Sequence, residues 1–304
     1  MASAAIEGDA VEQGAREAPA LIRYLGEGDY VTRRYVSRGA EMNTGDYVDY
    51  PMVVRDGMPI RDHFALDVHG FAIGKHRTAV QDFGDTDAIN ALYNAEVEAA
   101  VRALTGASVV KAQGWMIRTS ADLTARAQEK VEGYQHVGGI QPPAGEAHVD
   151  YNEATARRVA NRLYPELRPD GPGFKRYCAF SFWRCFSPGP QDWPLAVMDG
   201  RSIQGDETTS NTLFVVDEFP TGDALTAPVP GEDQMIAASI FRHRPQHRWW
   251  YFANMAADDV LLFKFQDSDH TRTWRCPHTA FHDTSLPNAQ TRSSIEVRCM
   301  AFWE

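Results

Sequence analysis

The chain has 304 residues with 30 basic against 41 acidic side chains, a formal charge of −11 at neutral pH. A balance that acidic argues against a nucleic-acid partner, whose phosphates would need cations to neutralise them. Apolar residues make up 43% of the chain, with 7 Trp, 11 Tyr and 15 Phe, which excludes wholesale disorder and allows one large domain or two modest ones.

The first twenty residues are Ala-rich but carry Glu7, Asp9, Glu12 and Glu17. They lack the apolar centre of a signal peptide and read as a mobile tail, residues 1–20, of a cytoplasmic protein. No stretch approaches the roughly 18 apolar residues of a membrane span. From Tyr24 to Phe83 the pattern is short and broken, with strand-like Tyr30–Thr32, Tyr47–Tyr50 and Met52–Arg55, the last running into Asp56-Gly57, a hairpin-type turn signal. Between Asp85 and Thr105, Ile89, Leu92, Tyr93, Val97, Val101 and Leu104 recur at three and four, predicting a helix capped by Asp85 or Thr86 and stopped by Gly106. A second helix is expected from about Asn152 to Leu163, ending before Pro165.

Strands separated by turn residues follow: Val109–Arg118 before that second helix, then Tyr177–Phe186, Leu195–Met198, Thr212–Val216, Met235–Phe241, Arg248–Phe252, Val260–Phe265 and Ser293–Trp303. That many short strands predicts a mainly β protein with flanking helices, built on a double-stranded β-helix (jelly-roll, cupin-like) core. No flexible linker interrupts it, so residues 21–304 are expected to form a single domain, with 21–108 as a strand and helix extension and 109–304 as the core. Cys178, Cys185, Cys276 and Cys299 make no Cys-x-x-Cys pair and read as small buried hydrophobes.

The chemistry-bearing residues begin with His148-Val149-Asp150, after the Gly- and Pro-rich stretch 138–145. Residues two apart on a strand share a face, so His148 and Asp150 would offer an imidazole and a carboxylate to one point. A third ligand would complete a two-His, one-carboxylate set with open coordination positions, suited to ferrous iron. In a chain of this composition roughly one His-x-acid pair arises by chance. The C-terminal region adds a second element: Pro277-His278-Thr279, then Arg292-Ser293-Ser294 fourteen positions after His278. That order suits a dicarboxylate co-substrate, with iron at its 2-oxo acid end and Arg292 with Ser294 on its far carboxylate. Arg298 is a rival to Arg292, since Arg292, Ser294, Glu296 and Arg298 alternate onto one strand face. Trp183, Arg184 and Tyr251 are candidates to line a substrate pocket, and Arg184, Arg275, Arg292 and Arg298 together suggest a basic pocket inside an acidic shell. His243, His247, His270 and His282 compete for the third ligand, the first two within the basic run Arg242–Arg248, whose charges would repel a cation.

The order His-x-Asp, distal His, Arg-x-Ser resembles the non-haem iron, 2-oxoglutarate-dependent oxygenases. Phe182-Trp183-Arg184, Trp193–Asp199, Arg248–Phe252, Leu261–Lys264 with Asp267-Ser268, Pro277–Phe281 and Arg292–Arg298 resemble one branch of them. That branch holds gibberellin-desaturase-like proteins, fungal hydroxylases of secondary metabolism and the hydroxylase partner of cephamycin methoxylation, some of them labelled methyltransferase-like. The resemblance covers residues 109 to 304. It implies that His148, Asp150 and His278 hold Fe(II), that Arg292 with Ser294 holds 2-oxoglutarate, and that a small secondary-metabolite or amino-acid-derived substrate is hydroxylated, desaturated or cyclised with O2. The chain departs from the branch at Cys185-Phe186-Ser187, where a Pro-Leu continuation is expected. Two alternatives stand beside this: an S-adenosylmethionine-dependent methyltransferase, for which no Gly-rich turn after a first parallel strand is found, and a cupin-like binding protein without redox activity. A homodimer is compatible with any of the three; a membrane partner is not expected.

Overall fold

The computed structural model describes residues 11–37, 40–121 and 140–304. Up to residue 121 the strands are β1 (Glu17–Leu25), β2 (Thr32–Ser37), β3 (Ala40–Asn43), β4 (Tyr47–Asp56), β5 (Phe71–Lys75) and β6 (Val109–Thr119). β7 (Ile140–Gln141), β8 (His148–Val149), β9 (Arg176–Cys185), β10 (Leu195–Met198) and β11 (Thr208–Val215) come next. β12 (Ala237–Phe241), β13 (Trp249–Tyr251), β14 (Asp259–Asp267), β15 (His278–Ala280) and β16 (Ser293–Trp303) complete the set. One sheet has the order β1-β4-β13-β10-β15-β8-β12-β11-β2-β3 and the other β5-β14-β9-β16-β6-β7. Together they make the expected double-stranded β-helix, or jelly roll.

Period-two alternation sets the layers. On β16, Met300 and Phe302 join the core between the sheets, while Ile295, Val297, Cys299 and Ala301 join a second core on the other side of the smaller sheet. Arg292, Ser294, Glu296 and Arg298 therefore fall on the face turned into the barrel. The second core is closed by a helical stretch made of Thr86–Ala88, a π-helical turn Ile89–Tyr93, and α1 (Asn94–Thr105). Asp85 caps it by accepting from the Ala88 N–H, and Gly106 ends it at φ +69°. Its buried residues are Ile89, Tyr93, Val97 and Val101, spaced by four, because the π turn widens the pitch. Leu92 and Leu104 fall off that spacing and are exposed, unlike the expectation that placed them on the packed face.

The helix α2 (Glu153–Leu167) starts where expected, with the Asn152 side chain accepting from the Thr155 N–H. It runs past Pro165, which sits in the last turn, and Arg168 N–H closes on the Tyr164 carbonyl.

Two further expectations are corrected. Of the supposed tail, residues 1–10 lie outside the described residues, but Glu17–Leu25 is a strand paired over its whole length with β4, and Ala18 is completely buried. The strands β1 to β4, before residue 109, enter the larger sheet itself. Parallel pairing joins β4 to β13 and β2 to β11, so the N-terminal strands extend the larger sheet at both ends. The Asp56-Gly57 signal makes no hairpin: β4 is continuous from Tyr47 to Asp56, and the chain then enters a 3-10 turn, Met58–His63. Glycine is needed at 57 because a Cβ there would lie 2.8 Å from the Phe64 ring. Ala18→Asp would place a charge in the sheet core and is expected to lower unfolding free energy by at least about 2 kcal/mol in a denaturant titration; a mobile tail would leave it unchanged.

Candidate metal centre

The two shortest strands that matter were not legible as strands, and they carry the chemistry. β8 and β15 lie side by side in the middle of the larger sheet, and their register puts His278 directly opposite His148. Opposed residues of an antiparallel pair project to the same face with Cβ atoms about 5 Å apart, so the two rings meet with centroids 4.4 Å apart. Asp150, two residues beyond His148, turns its Oδ1 to both: 3.1 Å from His148 Nε2 and 3.7 Å from His278 Nε2. The three donor atoms lie within 4.8 Å of one another.

The chemistry of this donor set fits a divalent metal. His148 Nδ1 lies 2.8 Å from the Glu146 carbonyl and His278 Nδ1 3.3 Å from the Cys276 carbonyl. Carbonyls only accept, so each Nδ1 carries the hydrogen and each Nε2 turns a lone pair toward Asp150. Burial alone would lower the His148 pKa; the Asp150 carboxylate overrides it and raises that pKa. A cation between them does what that proton does. Burial likewise works to raise the Asp150 carboxyl, yet the Arg298 guanidinium and the two imidazoles hold it well below the ordinary carboxylate range. For His278, burial and the neighbouring His148 charge both lower the pKa, favouring the neutral, ligating form. Phe263 and Phe265 pack on its ring at 4.7 and 5.7 Å and shield that side.

A second cluster, Glu12, His63 and His69, brings donors as close and fails the same test. His69 Nδ1 accepts from the Ala65 N–H, so its neutral ring carries hydrogen on Nε2 and offers no lone pair there. Glu12 is already paired with Arg201 at 2.6 Å, whose charge repels a cation. This cluster pins the N-terminal segment.

Arg292 is 1% exposed, and its Nε and Nη1 have no hydrogen-bond partner among the described residues. Burial pushes its pKa down to about 10. Its backbone N–H is held by Ser120 Oγ at 2.8 Å and Asp192 Oδ1 at 3.0 Å, which fixes the strand entry, and its guanidinium lies over the Trp183 ring, 5.9 Å from the centroid. Buried guanidinium donors left without a partner are costly unless an anion meets them, and Ser294 adds a hydroxyl on the same strand face. A carboxylate fits there. Arg298 sits elsewhere: its Nε is 2.7 Å from Asp150 Oδ2 and 3.5 Å from Glu296 Oε1.

Of the predicted pocket residues, Trp183 lines a small cavity with Cys185, Leu195, Phe252, Leu261 and Arg292. Arg184 does not join it, because adjacent strand residues face opposite ways. It turns to the helix side and binds the Tyr93 hydroxyl, the His76 carbonyl and the Ala257 carbonyl. Tyr251 is also apart: its hydroxyl accepts from Arg16 Nη1 at 2.8 Å and its ring meets Phe281 edge-on. Arg275 lies over Trp274 and Phe241, so the expected four-arginine pocket is not formed. The rival histidines are engaged, His243 stacked on Tyr50, His247 on Glu207 at 2.8 Å, His270 on Trp274 and His282 on Trp193. Sequence reasoning missed Arg118, whose Nε is 3.9 Å from Glu296 Oε2 and whose Nη1 donates to the Pro142 carbonyl. Its signal was a charge directly after the apolar run Trp115-Met116-Ile117 at the end of β6.

A jelly roll carrying a buried His-x-Asp and a distal His defines the class of non-haem metal oxygenases. A family model described as an oxidoreductase/YMDC permease-like domain matches residues 23–302; among the described residues no helix is long and apolar enough to cross a membrane. The hydroxylase/desaturase CTB9 of Cercospora beticola is 34% identical over 80% of this chain and 73% of that protein. The hydroxylase/desaturase efuI of Hormonema carpetanum is 29% identical over 85% of each chain, and the Fe(II)/2-oxoglutarate-dependent dioxygenase nvfI of Aspergillus novofumigatus 29% over 81% of each. The solved structure of the iron and alpha-ketoglutarate-dependent endoperoxidase NvfI superposes with a TM-score of 0.73 over 94% of this chain and 98% of that one, at 24% identity, which shows the shared fold. The chain belongs to this hydroxylase/desaturase family of Fe(II)- and 2-oxoglutarate-dependent oxygenases. It is an enzyme that oxidises a small metabolite, using 2-oxoglutarate and O2.

Titration with Co(II) in place of iron is expected to give one site per chain, lost in His148→Ala and kept in His63→Ala. Loss in the second variant instead would transfer the site to the Glu12 cluster.

Proposed function

We propose that His148, Asp150 and His278 hold Fe(II), and that Arg292 with Ser294 holds the far carboxylate of 2-oxoglutarate. Arg292's two partnerless buried donors carry this reading, because they mark where an anion belongs. Arg292, Ser294, Glu296 and Arg298 share the barrel face of β16, and Glu296 bears electrostatically on both His278 and Arg292, which supports a co-substrate lying along that face. Arg298 is less suited to the far carboxylate. Its guanidinium is already engaged by the metal-ligand carboxylate itself, Nε 2.7 Å from Asp150 Oδ2.

When bound, iron would supply the activation of O2 and the oxidation of the substrate. The protein's part is positional. His148, Asp150 and His278 would hold the metal from one side, the two backbone carbonyls fix the imidazole tautomers, and Phe263 and Phe265 keep water from the His278 side. Trp183, under the Arg292 guanidinium, walls the co-substrate end. A second small cavity on the Asp150 side, lined in part by Arg34, Tyr151, Asn211, Leu213 and Ile240, suits the approach of an apolar secondary metabolite or amino-acid-derived substrate bearing a polar group.

The reading extends to one domain that takes in all of β1 from Glu17 onward, working in the cytoplasm as a monomer or homodimer without nucleic acid or membrane. Four buried free cysteines and the charge of −11 support it. The methyltransferase alternative has nothing to support it among the described residues, where strands and helices do not alternate as a nucleotide-binding sheet requires.

Asp150→Ala is expected to abolish iron-dependent conversion of 2-oxoglutarate to succinate. Arg292→Ala should weaken 2-oxoglutarate binding roughly 10- to 100-fold, the worth of one or two charge-assisted hydrogen bonds, while leaving metal binding intact. Succinate formed at the normal rate by the first variant, or unchanged 2-oxoglutarate affinity in the second, would sink the assignment.

A further inference from the structure

The two oxygens of Asp150 have different surroundings. Oδ1 faces both imidazoles, whereas Oδ2 faces the Nε of Arg298 at 2.7 Å. We propose that Arg298 is a positioning residue for Asp150: by engaging Oδ2 it leaves Oδ1 alone as the metal ligand and keeps the carboxylate monodentate. The proposal rests on the metal assignment above and goes beyond it.

A carboxylate rotates easily about its last torsion, whose energy profile is broad and two-fold. Nothing intrinsic to Asp150 distinguishes its oxygens. Were both to bind, the aspartate would fill a coordination position that the co-substrate or O2 needs. The guanidinium that prevents this is itself held. Arg298 Nε also lies 3.5 Å from Glu296 Oε1, Glu296 Oε2 lies 3.9 Å from Arg118 Nε, and Arg118 Nη1 donates at 2.9 Å to the Pro142 carbonyl. Charges thus alternate along Asp150, Arg298, Glu296 and Arg118, from the metal ligand to the chain segment that leads into His148. All four side chains are at least four-fifths buried, so the ladder works where water screens little.

The test separates metal binding from co-substrate binding. Dissociation constants are measured for Co(II) without co-substrate, then for 2-oxoglutarate at saturating Co(II). Arg298→Gln should raise the Co(II) constant about 10- to 100-fold, the range for a lost partner of a metal ligand. It should also change the visible ligand-field bands of bound Co(II), with 2-oxoglutarate affinity at saturation altered less than about threefold. Arg298→Lys, which keeps the charge and disturbs the fold least, should weaken Co(II) by a smaller factor of about two to five. Arg292→Ala should show the reverse pattern. Co(II) affinity and bands unchanged in either Arg298 variant overturn the proposal, as does an effect confined to 2-oxoglutarate, which would make Arg298 a co-substrate ligand. If the unaltered protein binds no Co(II), or His148→Ala binds it as well, the metal centre fails and this proposal with it.

Discussion

Everything in the barrel is arranged around the cost of burying one carboxylate. Asp150 is 8% exposed in its side chain, and an ionised group taken out of water that far survives only when compensating charge and hydrogen bonds surround it. Two imidazoles supply part of that on one side and a guanidinium on the other. The guanidinium needs its own counter-charge, Glu296, which in turn draws Arg118. Such a network is unfavourable as a source of stability compared with apolar packing of similar volume. Its presence in the centre of a jelly roll is therefore the mark of a function that requires charge there, and the surrounding Phe, Trp and Met side chains make the field of each group larger by excluding water.

The strand β16 shows how one segment can serve two layers. Its barrel face is Arg292, Ser294, Glu296 and Arg298, and its reverse face, Ile295, Val297, Cys299 and Ala301, packs beneath the helical layer. The polar face would be intolerable in an ordinary core strand, and it is supported because the reverse face is wholly apolar. The two histidines gain their orientation in a comparable way: backbone carbonyls two residues upstream of each, Glu146 and Cys276, engage Nδ1. The ligand's tautomer is thus set by the same local stretch of backbone that sets its strand.

Much of this was legible in the sequence, for identifiable reasons. The long strands β6, β9 and β16, and the short β10, were read nearly to the residue because apolar runs bounded by turn residues have few other readings. The trio His148, Asp150 and His278 was legible from motif order. What escaped was long-range. Strands of two or three residues such as β8 and β15 have no periodicity to detect, and their existence depends on neighbours about 80 to 130 residues away. β1 looked like a tail because Glu17, Leu21 and Arg23 face solvent in alternation with buried Ala18, Ala20 and Ile22, and small apolar residues give a weak signal. Arg184 was misplaced because it was grouped with Trp183 by adjacency, when adjacency on a strand means opposite faces.

The pairing of β8 with β15 also constrains how the protein comes into being. His148 and His278 are direct partners separated by 130 residues, and at roughly 5–20 residues per second of synthesis the first waits on the order of 10 s for the second. During that interval the chain holds a charged His-x-Asp arm, with neither the distal ligand nor the arginines of β16 to meet it. On the proposed assignment, no partial form of the centre brings its three ligands together. If the trio holds the metal as proposed, loading is a late event tied to the closing of the barrel, and a chain that stalls before its last strands lacks the site.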